Sequence, residues 1–260
     1  MGNRRPSISV FFPAYNDAQS IGALVTKILA LLPTLTDDFE VIVVNDGSTD
    51  NTGAVLKELA RANSCLRIIQ HEKNRGYGGA LRSGFSNAKK ELVFYTDGDG
   101  QYDVGELVLL LPLLTPQIDV VNGYKARRAD GAGRRVLGGV YNCLAHLLFS
   151  IPIRDVDCDF RLLRRSALDR IELTANGGII CVELIHKLHR AGCSFAEVPV
   201  SHYERTSGRS QFFKAGPMIR MARDLFSYWF RLVVRPWFKR SGRIARSSQS
   251  TLPRSTGQPW

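Results

Sequence analysis

The chain has 260 residues, 44% hydrophobic and 23% charged, an ordinary globular composition with length for one large core or two small ones. Its net charge of +11 is unevenly placed: residues 211–260 hold ten Lys and Arg against Asp224 alone, net +9, so the remaining 210 residues are close to neutral. Five cysteines, an odd number with no CxxC pair, argue against a disulfide framework or a zinc site and for a reducing cytosol, and Met1-Gly2-Asn3-Arg4-Arg5 leads straight into a strand-like run without the pattern of a signal peptide.

Ile8 to Phe12 reads as a strand ended by Pro13. Ser20 could then cap a helix whose apolar positions 21, 24, 25, 28, 31 and 32 recur at helical spacing. Phe39 to Val44 is a second strand, ended by NDGS, and Thr52 to Ala62 a second helix. Leu66 to Gln70 is a third strand, after which the glycine-rich NRGYGGALRSGF opens another helix. Leu92 to Thr96 is a fourth strand, ended by DGDGQ, followed by a helix around 104–114 and a strand at Asp119 to Val121. Strands that alternate with helices and are apolar along their length predict an α/β fold, a Rossmann-like, mostly parallel sheet with helices on both faces. Such sheets bind ligands at the carboxyl ends of their strands, where PAYND, NDGSTD, NRGYGG and DGDGQ all fall.

Beyond residue 125 the pattern changes. KARRADGAGRR is a polar, basic loop, and Val136 to Ile153 is an uncharged stretch of 18 residues that predicts a helix packed on the body rather than a membrane span. DVDCDFRLLRR, at 155–165, is acidic and then basic; a helix near 182–191 and a strand at Phe195 to Val200 lead into HYERTSGRSQ. From 216, Met218, Met221, Ala222, Leu225, Trp229 and Leu232 recur at helical spacing with arginines between them, which predicts a C-terminal amphipathic helix. Ser241 onward reads as disordered.

Asp97-Gly98-Asp99 admits several readings. A calcium loop counted from Asp97 would need Gly at position six and Glu at position twelve, where Tyr102 and Val108 stand. A glycosidase acid–base pair usually comes from separate parts of a chain. A Mg²⁺ or Mn²⁺ site fits better: residues i and i+2 of an extended chain share a side, the glycine lets a ligand approach the backbone, and hard ions complete one or two carboxylates with phosphate oxygens and water. A solvated acidic turn is the plain alternative. Asp46 could accept from a nucleobase N–H or a ribose hydroxyl, or NDGST could simply cap its helix. Tyr15 could pack on a base or on the protein, and the turn around Gly76 could approach a diphosphate.

Taken together, FFPAYND, VIVVNDGSTDNT, NRGYGGALRSGF, TDGDGQYD, DVDCDFRLLRR and YERTSGRS, in this order over about residues 7–215, resemble the family-two glycosyltransferases of the GT-A fold. Within these the chain is most similar to the dolichyl-phosphate mannose synthase and bacterial polyprenyl-phosphate glycosyltransferase branch. The resemblance implies an inverting, metal-dependent transfer from a UDP- or GDP-sugar to a polyprenyl phosphate, or in a second reading to a hydroxyl of a saccharide. It implies that Pro13, Tyr15, Asp17 and Asp46 hold the nucleoside, with Gly76 and Gly98 in the donor site. Asp97 would contact both nucleotide and metal, Asp99 and Gln101 would bind the metal, and Arg205 would close over the donor phosphates from a mobile loop. Asp17 stands where the family more often has Glu, and Asn45 replaces the first Asp of the common DDGS. Arg127, Arg128, Arg134 and Arg135 would attract the acceptor phosphate or simply form a solvated basic loop, with Asp155 and Asp157 as a base, as orienters of those arginines, or as salt-bridge partners of Arg161, Arg164 or Arg165.

The expected organisation is a catalytic domain over 1–215, an amphipathic basic segment over 216–240 and a basic tail over 241–260. Many relatives carry transmembrane helices after the catalytic domain, but only six uncharged residues separate Asp224 from Arg231, against the roughly 20 that a span needs. Residues 216–246 are therefore expected to hold the protein peripherally on the cytoplasmic face of a membrane, the plain alternative being a helix packed on its own domain or on a partner subunit. A nucleic-acid-binding module is disfavoured, because the body lacks a recognition-helix or aromatic-stacking signature. A nucleotidyltransferase would be expected to show a glycine-rich basic loop where this chain has PAYND.

Overall fold

The structure, a computed structural model, describes residues 5–126, 132–204 and 223–235, with the backbone alone for 132–137. Seven strands form one sheet: β1 (Ile8–Ala14), β2 (Phe39–Asn45), β3 (Leu66–Gln70), β4 (Leu92–Thr96), β5 (Val120–Lys125), β6 (Phe160–Arg164) and β7 (Phe195–Val200). The order across the sheet is β3-β2-β1-β4-β6-β5-β7. All neighbours are parallel except β6, which runs antiparallel to both β4 and β5. The mostly parallel α/β fold expected from the sequence is the one observed.

β1 lies between β2 and β4 in the sheet, and all seven of its residues are buried. On one face Phe11 stacks on Tyr95 at 5.3 Å between ring centroids, and Phe85 stands edge-on to both. Phe85 lies on α3 (Tyr77–Asn87). Gly84 of this helix lies against the Phe11 ring, where a Cβ would come within 2.3 Å, so the helix lies flat on the sheet. On the other face α1 (Ile21–Leu35) buries Ile21, Leu24, Val25, Ile28 and Leu32, the stripe that its spacing predicted. α2 (Thr52–Ala62) links β2 to β3.

Four boundaries differ from expectation. β1 continues through Pro13 because its ladder with β4 ends at Phe11–Tyr95, so no ladder bond is lost, and the Pro13 carbonyl instead accepts from Gly98 N at 3.2 Å. The helix expected at 104–114 is broken into a 3₁₀ turn at Val104–Glu106, α4 (Leu107–Leu110) and a second 3₁₀ turn at Leu111–Leu113, the last containing the helix-breaking Pro112. β5 is longer than its apolar part, since it pairs along its whole length with β7, from Val120–Phe195 to Lys125–Val200. β6 was not anticipated: FRLLR was read with the charged run, yet its Arg161 is fully buried.

After β5, α5 (Ala132–Phe149) packs one face, Tyr141, Ala145 and Phe149, and leaves Val140 and Leu147 exposed. It ends at Ser150, which has a φ of 53°, followed closely by Pro152. α6 (Arg165–Leu168) follows β6, and α7 (Ile180–Arg190) precedes β7. The chain divides into two compact units, Met1–Gln211 and Phe212–Trp260. In the second, 223–229 are helical and Phe230–Val234 widen into a π turn. Leu225 is buried, Phe226 and Phe230 are exposed, and the Arg231 guanidinium lies over the Tyr228 ring at 4.3 Å. No helix of the described residues is long and apolar enough to cross a membrane.

Candidate active site

β1, β2 and β4 run parallel, so their carboxyl ends share one edge, and the loops beyond them are tied together by main-chain bonds. Asp46 N donates to Ala14 O at 2.9 Å, and Gly98 N to Pro13 O. In Asp97-Gly98-Asp99 the glycine has a reason other than room for a ligand: a Cβ at Gly98 would lie 2.6 Å from Pro13 O. The protein's own backbone requires it.

At the end of β1 the chain turns through Asn16, whose φ of 58° is stabilised by a net of bonds to the NDGSTD loop. Asn16 N donates to Ser48 Oγ at 3.0 Å, and Asn16 Oδ1 accepts from Thr49 N at 2.8 Å. Asp17 folds back on this turn: its Oδ2 accepts from Tyr15 N at 2.9 Å, while its own N–H donates to Thr52 Oγ1 at 2.9 Å. These bonds stabilise the turn and leave the Tyr15 ring 37% exposed beside it. Asp46 is buried, and its Oδ1 accepts from His71 Nδ1 at 2.6 Å and from Arg75 N at 2.8 Å. His71 Nε2 in turn meets Ser83 Oγ at 2.9 Å. His71 was not singled out in the sequence, although it follows β3 at the same sheet edge by the rule that selected Asp46.

The glycines of NRGYGG are also occupied by the protein. Gly76, with a φ of 80°, and Gly78 both lie against the backbone of Ala175–Asn176, where added Cβ atoms would come within 2.5 Å of carbonyl oxygens. Gly78 N donates to Asn176 O at 2.8 Å. The segment so approached is anchored by the buried Glu183, which accepts from Thr174 N, Thr174 Oγ1 and Ala175 N. Tyr77 between these glycines donates its hydroxyl to Asp97 Oδ1 at 2.7 Å. This second tether was missed because the motif was read only for its glycines.

Burial above all, then the nearby charges of Asp159 and Asp99, push the Asp97 carboxyl well above the usual carboxylate range, while the Tyr77 hydroxyl and Lys125 act in the opposite sense. Asp99 accepts from Gln101 N at 3.1 Å. Gln101 was expected as a metal ligand; its side-chain Nε2 donates to Tyr203 O at 3.0 Å, and Tyr203 N returns a bond to Gln101 O at 2.8 Å. With the Tyr102–His202 bridge, residues 202–203 are strapped to the acidic loop. Arg205, two residues further on, lies outside the described residues, as do Arg127 and Arg128. The side chains of Arg134 and Arg135, in the first turns of α5, are likewise outside them.

On the other side of Asp97 stands the turn from Asp155 to Asp159. Asn122 Nδ2 donates to Asp155 O, and Asn142 Oδ1 accepts from Val156 N at 3.1 Å, so β5 and α5 together hold it. Asp155 is buried and its Oδ1 accepts from Asp157 N; the Asp157 carbonyl accepts from Lys125 Nζ at 2.9 Å. The salt bridges considered for these two acids go elsewhere. Arg161 pairs with Asp159 at 2.8 Å and also bonds to Asn122, Tyr95 and the Val156 carbonyl. Arg164 donates to main-chain carbonyls, and Arg165 pairs with Asp169. Asp159 also accepts from Tyr95 and Cys181, so a fully hydrogen-bonded, buried network lies behind Asp97. Asp159 and Lys125 escaped the sequence reading; the DxDxD alternation at 155–159 was the available signal for the first.

Could these residues hold a divalent cation? Asp97 and Asp99 offer two hard oxygen donors on one short loop, and the charge that Asp97 carries only at a cost is what a dication would stabilise. Among the described residues no cluster of three or more His, Cys, Asp or Glu is arranged to hold a metal. The donor set therefore fits Mg²⁺ or Mn²⁺ completed by phosphate oxygens and water, and not an all-protein cage.

A parallel sheet with one reversed strand, and an acidic loop after its fourth strand, is the architecture of the GT-A glycosyltransferases. The fold is similar to that of glucosyl-3-phosphoglycerate synthase from Mycobacterium tuberculosis, solved in complex with Mn²⁺, UDP and glucosyl-3-phosphoglycerate: TM-score 0.65, 23% identity, covering 87% of this chain and 79% of that one. Residues 9–172 match the family model described as glycosyl transferase family 2, and the chain belongs to this family. It is 29% identical over 210 residues to the undecaprenyl-phosphate 4-deoxy-4-formamido-L-arabinose transferase of Pseudomonas savastanoi pv. phaseolicola, covering 79% of this chain and 60% of that protein. It is also 29% identical over 253 residues to the dolichyl-phosphate beta-glucosyltransferase of Drosophila melanogaster, covering 88% of this chain and 76% of that protein. The chain thus spans 60% of the length of the first of these relatives.

Proposed function

We propose that this protein transfers a sugar, with inversion, from a nucleoside diphosphate donor to a polyprenyl phosphate. The observation that carries the reading is the convergence of two halves on Asp97. Asp46 and the Tyr15–Asp17 turn stand on one side, at the ends of β1 and β2. Lys125 and the 155–159 turn stand on the other. Relatives whose names specify undecaprenyl-phosphate and dolichyl-phosphate transfer support the acceptor.

In this reading Pro13, Tyr15, Asp17 and Asp46 seat the nucleoside, and Asp97 and Asp99 hold a Mg²⁺ or Mn²⁺ ion, with Gln101 beside them. A cation held there would neutralise charge growing on the leaving diphosphate. Arg205 adds a planar guanidinium suited to the same phosphates. Gly98 and Gly76 keep the loops close enough for these groups to meet. A lipid phosphate is already ionised and attacks the anomeric carbon without a base. Asp155 and Asp157 then serve by shaping the turn that holds Lys125, while Arg127 and Arg134 attract the acceptor phosphate. The catalytic domain is residues 1–215. Residues 216–246, with Phe226 and Phe230 exposed and Arg223, Arg231 and Arg235 flanking them in sequence, hold it peripherally at the cytoplasmic face of a membrane.

The test is release of nucleoside diphosphate from a panel of UDP- and GDP-sugars with Mn²⁺, with and without a short polyprenyl phosphate. Release that needs one donor, the lipid phosphate and the metal supports the reading. Metal-dependent release that ignores the lipid moves the acceptor to an alcohol. No release with any donor ends the transferase reading.

A further inference from the structure

A carboxylate oxygen has about two lone-pair sites, and a base edge that offers two parallel N–H groups is recognised best when each oxygen takes one. Asp46 cannot offer both oxygens equally. Its Oδ1 already accepts from His71 Nδ1 at 2.6 Å and Arg75 N at 2.8 Å. The first of these bonds is fixed in direction: a carboxylate only accepts, so a proton sits on His71 Nδ1, while Nε2 lies 2.9 Å from the Ser83 hydroxyl. His71 is 2% exposed and held from both ends, and the Arg75 N–H is fixed by the main chain just ahead of α3. Neither donor turns away easily to make room on Oδ1. Close by, Gly47 approaches the Lys73–Asn74 backbone so tightly that a Cβ would lie 2.6 Å from Asn74 N, which fixes the loop carrying Arg75 against the loop carrying Asp46.

We infer that Asp46 presents a single oxygen, Oδ2, to the nucleobase and so selects a donor whose base has one imide N–H, uracil or thymine, against guanine. The inference rests on the transferase reading, in which Asp46 meets the base. Uracil N3–H lies between two carbonyls and needs one acceptor. Guanine presents N1–H and N2–H side by side, and with Oδ1 filled one of them goes without its partner. Cytosine offers a lone pair at N3 and meets Oδ2 with repulsion. His71 is thus a specificity-determining positioning residue: it does not touch the base, but it decides how many acceptors Asp46 has to give.

The experiment is calorimetric titration of the full chain, in Mn²⁺, with UDP, dTDP, CDP, GDP and N3-methyl-UDP. UDP or dTDP is expected to bind roughly 10- to 100-fold more tightly than GDP, CDP and N3-methyl-UDP, the range for loss of one charge-assisted bond. UDP against dTDP separates the two admissible bases. In Asp46→Ala the gap between UDP and N3-methyl-UDP closes; should that variant not fold, the wild-type panel decides alone. GDP binding as tightly as UDP, or N3-methylation costing nothing, overturns the inference and leaves the transferase reading standing. Binding of no nucleoside diphosphate at all overturns both.

Discussion

Gly98→Ala tests whether the acidic loop works only in contact with β1. A Cβ at this position would lie 2.6 Å from Pro13 O, where ordinary contact begins near 3.4 Å, so roughly 0.8 Å must be found. Ile21 Cδ1, 3.3 Å away, is a side-chain tip that can yield; Pro13 O belongs to the central strand and cannot. The loop must therefore lift, and the Gly98 N–H bond to Pro13 O lengthens beyond its 3.2 Å. Overpacking of this kind costs about 1–3 kcal/mol and a lost hydrogen bond about 1 kcal/mol. At about 2–4 °C per kcal/mol for a chain of this size, the midpoint of thermal unfolding should fall by at least about 4 °C. Asp97 and Asp99 flank the lifted residue, and misplacement of this order costs about 100-fold in turnover. The assay pairs a thermal melt with metal-dependent nucleotide release. A variant that melts with the wild type and turns over at the wild-type rate would refute the reasoning.

Other substitutions separate packing from charge. Gly139, exposed on α5, has nothing within 4 Å of an added Cβ, so Gly139→Ala should stabilise by about 0.5–1 kcal/mol, read as a raised melting temperature with turnover unchanged. Asp97→Asn should abolish turnover yet raise the melting temperature without added metal. Because burial and neighbouring acids raise the folded Asp97 pKa above its unfolded value, stability falls as pH rises between the two, and the gap between variant and wild type should widen in that direction; a variant no more stable than the wild type at pH 8 would contradict this. Glu183 has the opposite sign. Burial raises its pKa, but Lys187 and the Ala175 and Thr174 donors outweigh it and bring the carboxyl below the usual range. Its contribution is present above about pH 4.5 and lost as pH falls through the lower folded value. Glu183→Gln should lower stability by about 1–3 kcal/mol at neutral pH, a deficit that denaturant melts should show closing below pH 4.5.

The half of the sheet made by β1 to β4 was legible because its strands are apolar along their length and stop at polar loops; β3 and β4 there, and β7 at the far edge, run over the residues that the pattern predicted. β6 was hidden because its stability comes from long-range pairing and a buried ion pair. A sequence window sees Arg161 as surface charge, whereas Asp159, Asn122 and Tyr95 make it an interior residue. The acidic residues of the site were visible as motifs, but their tethers were not. Tyr77 reaches Asp97 across 20 positions and His71 reaches Asp46 across 25, and no local pattern encodes such pairs. The glycines were visible too, but their packing was not: Gly98 and Gly76 lie against the chain's own carbonyls, which only the fold brings near.

The reversed strand has a consequence for how such a molecule can diversify. β6 begins at Phe160, paired with Thr96 at the carboxyl end of β4, while β5 ends at Lys125 on that same edge. Everything from 126 to 159 therefore leaves and re-enters the sheet at one rim. An excursion with both ends at one rim behaves as an exchangeable cassette. Its return end is fixed by the Asp159 bond to Tyr95 of β4 and its outgoing end by the pairing of β5 with β7, so a change of length between them leaves the β1 to β4 ladders in register. One half of the molecule can then stay fixed while the other is recut for a different partner.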